Sequence, residues 1–207
     1  MRKKPFLMNK ERNLLEKNKK IIIGVIGTHR GVGVTHLCVM LSNYLSEVMG
    51  KRTAVLECNT HNDFSYIQMV YEGMAHKAIN GKAFQVYDTS YYKNVTQKEI
   101  ADILNNNFDY IIMDLGTDRD NEEFLRCNCK LVVSSLCDWK RHELIKFLHY
   151  AETMNGYLEW EYLVLYGDKS DLKEIKHNWN IHLNLIPFET DPFQVSKEVL
   201  NLFQKFS

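Results

Sequence analysis

Gly31, Gly33 and Thr35 stand at a spacing that can hold a phosphate. The segment 21–37, IIIGVIGTHRGVGVTHL, runs from the apolar residues Ile21, Ile22, Ile23 and Val25 to Gly27. It then crosses a glycine-bearing turn to Thr35, after which Leu37, Met40, Leu41, Tyr44, Leu45 and Val48 recur along one helical face. In a strand–turn–helix of this kind the backbone N–H groups point into the loop and the helix N-terminus adds partial positive charge, so anions bind there. The usual pattern is G-x-x-x-x-G-K-[ST]. Here Val34 occupies the lysine slot and Thr28 the first glycine slot. The expected cradle is Thr28, His29, Arg30, Gly31, Val32, Gly33, Val34, Thr35 and His36, with His29, Arg30 and His36 as its sources of positive charge.

Two acids end apolar runs elsewhere in the chain. Asp114 closes FDYIIMD and Glu57 closes RTAVLE. The Thr35 hydroxyl can bind Mg²⁺, and Asp114 can hold that metal through water. Asp114 also has a plainer reading as a cap for the turn after its strand. Glu57 has two readings, as a water-positioning acid or as a solvated strand end. The missing lysine separates binding from turnover. One charge-assisted hydrogen bond is worth roughly 1.5–3 kcal/mol, so its loss weakens a nucleotide about 10- to 100-fold. Turnover suffers more, because positive charge at the γ-phosphate stabilises the transition state.

The elements that must position these residues are legible as alternating strands and helices. Strands are expected over 21–27, 52–57, 84–87, 108–114, 131–134, 162–166 and 181–186. Helices are expected from Thr35 to Gly50, over 64–74, after Thr96, over 138–155 and over 192–206. Thr96 and Glu99 have the spacing of a capping box. Apolar strands alternating with amphipathic helices give an α/β fold with a mostly parallel, doubly wound sheet, and ligands of such sheets lie at the carboxyl ends of the strands. The last helix carries Val195, Val199, Leu202, Phe203 and Phe206 on one face. Only Lys197 and Lys205 are basic on the other, so packing onto the sheet is favoured over a membrane surface. Tyr87, Tyr91 and Tyr92 read as a packed loop.

Composition sets the frame. The chain has 207 residues, 45% hydrophobic and 25% charged, with zero net charge. This suits one globular domain, expected over 21–207. No apolar run reaches the length needed to span a bilayer, and the basic start is not followed by the apolar stretch of a signal peptide. A cytoplasmic setting is expected. The five cysteines read as reduced core residues, and Cys127-x-Cys129 has no partner at zinc spacing. The tail, residues 1–20, carries eight basic residues against Glu11 and Glu16. It is either a solvated tail or an arm for anionic lipid or DNA.

Three strand ends line up in order: 27–35, 57–59 and 114–117. Together they resemble the ParA/MinD (SIMIBI-class) P-loop ATPases, whose loop reads K-G-G-V-G-K-T-T against His29–His36 here. Glu57-Cys58-Asn59 stands in the place of a D-x-D, and FDYIIMD is similar to the Walker B strand. Leu163–Gly167 fits the strand whose end carries an adenine-reading asparagine, and Ile186-Pro187-Phe188 fits the later "IP" turn. The resemblance implies a P-loop NTPase-type sheet, ATP or ADP with Mg²⁺ on the loop, and a homodimer. It also makes the departures visible: Val34 for the P-loop lysine, His29 for the signature lysine, Tyr166 for the asparagine and Glu57 for an aspartate. Loss of both lysines is similar to the branch that localises Tad-type pilus assembly. The expected function is a degenerate positioning or scaffolding subunit, with a partner in a membrane-associated pilus or secretion assembly, peripheral to the membrane. Two rivals stand beside it. One is a slow ATPase using Arg30 or His29 with Glu57, and the other is a DNA-associated partition protein using the basic tail.

Overall fold

In a computed structural model of the chain, residues 20–73 and 81–204 are described. The tail over 1–19, the expected helix end at Met74, and Phe206 of the last helix lie outside the described residues. The elements are β1 (Ile21–Gly27), α1 (Val34–Asn43), β2 (Thr53–Glu57), α2 (Asp63–Glu72), β3 (Ala83–Val86), β4 (Thr89–Tyr92), α3 (Gln97–Leu104) and β5 (Tyr110–Asp114). They continue with α4 (Glu122–Arg126), β6 (Cys129–Ser135), α5 (Arg141–Ala151), β7 (Glu161–Leu165), α6 (Lys169–Trp179), β8 (His182–Leu185) and α7 (Lys197–Phe203).

The strands form one eight-stranded sheet in the order β3-β4-β2-β5-β1-β6-β7-β8. Every pairing is parallel except the β3–β4 hairpin at one edge. β1 lies between β5 and β6, with Ile23 opposite both Ile112 and Cys129. The sheet is buried on both faces, which is why its central strands are apolar throughout rather than alternating. Along β1, Ile23 and Val25 enter the core shared with α1, α2 and α7, while Ile26 enters the core shared with α3, α4, α5 and α6. Gly24 faces the second side, where a Cβ would come within 2.8 Å of the Cys127 sulfur. Cys127 is thus a packing residue against the strand. All five cysteines are free thiols, with Cys38, Cys127 and Cys129 buried.

The expected elements recur with some differences. α1 continues into a wider π-type turn over Tyr44–Val48 before Gly50 reverses the chain at φ 61. The Thr96 capping box is present, with the Thr96 side chain accepting from the Glu99 N–H and Glu99 accepting from the Thr96 N–H. Of the tyrosine-rich stretch, Tyr91 and Tyr92 lie in strand β4, while Tyr87 sits in the turn before it at φ 50. Tyr91 is fully buried in β4, edge-on to Phe64 and stacked on Phe84. α4 and α6 were not expected. α4 has only five residues, and α6 is mostly polar, with Ile175 buried and Leu172 and Trp179 half-buried on the same face. α7 packs Val199, Leu202 and Phe203 into the core, with Phe203 against Tyr44. Among the described residues, no helix is long and apolar enough to cross a membrane.

Candidate functional site

The loop after β1 rises at the centre of the sheet's carboxyl edge, the place where open α/β sheets receive ligands. Its frame is held by Gly27 N–H to the Gly116 carbonyl (2.8 Å) and Thr28 N–H to the Val133 carbonyl (2.9 Å). The Thr28 hydroxyl lies 2.9 Å from Ser134 Oγ and 3.1 Å from His29 Nδ1. Gly31 and Gly33 adopt φ 78 and 95, a region open to glycine at little cost. A side chain on Gly31 would meet nothing within 4 Å, so that side of the loop is open.

Position 34 is filled differently. A Cβ on Gly27 would come 2.7 Å from Val32 Cγ1 and 2.7 Å from Val34 Cγ2. Both valines are buried in the core cluster under α1. Val34 therefore contributes volume beneath the loop where the phosphate-loop pattern has a charge.

The acidic side of the loop is tightly wired. Thr35 Oγ1 lies 2.6 Å from Asp114 Oδ2 and 3.2 Å from Asp63 Oδ2. Its single proton serves the shorter contact. Asp114 is fully buried and also accepts from Asn59 Nδ2 at 2.8 Å and from the Gly116 N–H at 3.1 Å. Burial pushes its carboxyl up to about 6, against the Thr35 and Gly116 hydrogen bonds. Three oxygens, from Thr35, Asp63 and Asp114, thus gather beside the loop. That hard donor set fits Mg²⁺.

Glu57 is fully buried, not a solvated strand end. One of its oxygens accepts from the Phe64 N–H and the other from the Asn94 N–H, each at 3.1 Å. It ties β2 to the first turn of α2 and to the segment after β4. Burial also raises its carboxyl above the ordinary range.

Two clefts flank the loop. The smaller, about 370 Å³, is lined by His29–His36 together with His61, Asp63, Gly116 and Thr117. The larger, about 620 Å³, shares His29–Gly33 and His36 and extends over Leu37, Met40, Leu165 and Ile186. Trp139, Tyr166 and Phe188 stand at its rim, 74%, 64% and 73% exposed. Tyr166, the residue in the asparagine slot, lies here at φ 53. Burial lowers the His29 imidazole below its ordinary value and the Lys140 cation lowers it further. Burial also lowers His36, opposed by Glu189.

The structure thus brings together the loop residues, Thr35 and Asp114, and holds Glu57 against backbone groups. Sequence reasoning missed Asp63, Trp139 and Lys140. Asn62-Asp63 before Phe64 is a legible helix start. The left-handed turn at Asn62 (φ 61) that sets Asp63 beside Thr35 is not legible.

The fold is that of the ParA/MinD P-loop proteins. A plasmid partition protein from Borrelia burgdorferi B31, solved bound to AMPPNP, is 16% identical and covers 90% of this chain and 99% of its own, with a TM-score of 0.62. MinD from Pyrococcus horikoshii OT3, complexed with Mg-ADP, is 15% identical over 91% of this chain and 94% of its own (TM-score 0.60). The MinC:MinD cell division complex of Aquifex aeolicus gives 15% identity, 82% of each chain and a TM-score of 0.61. No family model and no curated protein matches the sequence.

Proposed function

We propose that this chain is a degenerate ParA/MinD-like protein, a cytoplasmic positioning or scaffolding subunit that binds Mg-ATP or Mg-ADP weakly and hydrolyses it little. The observation that carries this reading is Val34, packed into the core against Gly27 at the position of the P-loop lysine. With His29 at the signature position and its imidazole lowered by burial, the loop itself keeps one permanent cation, Arg30. Glu57 supports the same reading, since both of its oxygens are held by backbone N–H groups. What remains is a backbone cradle, the Thr35–Asp114 pair and a cleft. Two proteins of this fold hold AMPPNP and Mg-ADP, which supports nucleotide as the ligand. The MinC:MinD complex supports a protein partner, here placed in a membrane-associated pilus or secretion assembly and engaged by a homodimer.

The test is calorimetric titration of Mg-ATP and Mg-ADP into the wild type and Val34→Lys. Weak heat in the wild type and binding about 10- to 100-fold tighter in Val34→Lys are expected. No heat from the wild type at millimolar nucleotide contradicts nucleotide binding. The intact Thr35–Asp114 contact favours a second reading, a slow ATPase. It is distinguished by turnover that disappears in Asp114→Ala.

A further inference from the structure

The positive charge around the loop is not where the loop pattern puts it. Lys140 immediately precedes α5 and lines the larger cleft together with His29 and Arg30. It is near enough for its charge to lower the His29 imidazole. Its neighbours in sequence are otherwise engaged. Arg141 pairs with Glu174 at 2.6 Å and with Asp171 at 3.5 Å, turned toward α6. His142 lies 2.9 Å from Glu143. Neither Lys140 nor Arg30 has an ion-pair partner among the described residues. The carboxylate lining this cleft, Glu189, interacts with His36. Two cations without an ion-pair partner thus line a cleft beside the glycine-bearing loop, with the Glu143 carboxylate opposing Lys140 only in part at His29, and such a surplus of positive charge draws an anion.

We propose that Lys140, reaching in from the start of α5, supplies with Arg30 the positive charge that Val34 does not, and binds phosphate oxygens of an oligophosphate held on the loop over 28–35. The inference rests on the nucleotide reading above and assigns a binding residue on a different element from the usual one. Lys140, the residue before α5, is placed by the packing of Leu144, Phe147 and Leu148 of that helix. The ligand class is a di- or triphosphate chain, with or without a base, because the cations act on the phosphates.

The experiment titrates tripolyphosphate and, separately, Mg-ATP into the full chain at fixed ionic strength. The proteins are wild type, Lys140→Ala, Lys140→Arg and Lys146→Ala, with thermal midpoints measured for each. Lys146 is exposed on α5 beside Glu143, outside the cleft lining, and controls for loss of one positive charge. Tripolyphosphate binding about tenfold or more weaker in Lys140→Ala, largely kept in Lys140→Arg and unchanged in Lys146→Ala is expected. Equal binding by wild type and Lys140→Ala overturns the role of Lys140 and leaves the nucleotide reading standing. A loss of the same size in Lys146→Ala also overturns it, since net charge alone then explains the effect. No binding of either ligand by the wild type at millimolar concentration overturns both.

Discussion

Asp114 is the fully buried acid beside the loop. It keeps the Thr35 hydroxyl, the Asn59 amide and the Gly116 N–H as donors, yet no lysine faces it from position 34. Burial dominates, and its carboxyl stands at about 6 against an ordinary 3.8. The folded protein therefore keeps a proton that the unfolded chain releases. The contribution of this group to stability is full below about pH 4, falls as pH rises, and is lost above about pH 6, on the order of 3 kcal/mol in all. Denaturant midpoints of wild type and Asp114→Asn across this range are expected to diverge in favour of the asparagine variant between pH 4 and 6, then run parallel. A constant difference across the range contradicts the raised value. At this scale the sequence told most. Thr35, Asp114 and the valine at position 34 were legible because motif spacing fixes them along one local segment and one strand end. Asp63 and Lys140 were not, because a left-handed turn at Asn62 and the docking of α5 bring them to the loop from 28 and more residues away.

Among the elements, local chemistry decided what could be read. α3 was legible from Thr96 and Glu99, and its capping box is closed at both ends. Thr96→Ala is expected to cost about 1 kcal/mol, read as a lower denaturant midpoint with an unchanged slope, since the surface exposed on unfolding stays the same. An unchanged midpoint counts against the cap. α6 shows the opposite case. Its Asp168 cap is well formed, with Ser170 and Asp171 N–H groups on its carboxylate, yet Ile175 is its one buried residue. Leu172, Ile175 and Trp179 do share one face at helical spacing, but three apolar residues in an otherwise polar segment are readily taken for a loop. The tyrosine-rich hairpin misled for a related reason. β4 alternates buried Thr89 and Tyr91 with half-buried Ser90 and Tyr92, and a four-residue strand gives that period little room to register.

For the whole molecule, the parallel order and the position of the loop followed from the alternation of strands and helices, and both hold in the eight-stranded sheet. Of the β3–β4 hairpin only the first strand was legible, and the two-sided cleft arises from tertiary placement and left no local trace. The fold is that of the P-loop proteins, the Thr35–Asp114 contact is present and Val34 stands in the lysine slot; the central claim proposed from them is a phosphate site that turns nucleotide over little. Phosphate release from Mg-ATP, compared between wild type and Asp114→Ala at saturating nucleotide, tests that claim most directly. Indistinguishable rates are expected, with calorimetric binding in the wild type. Turnover well above the Asp114→Ala background contradicts the account and makes the protein a working ATPase.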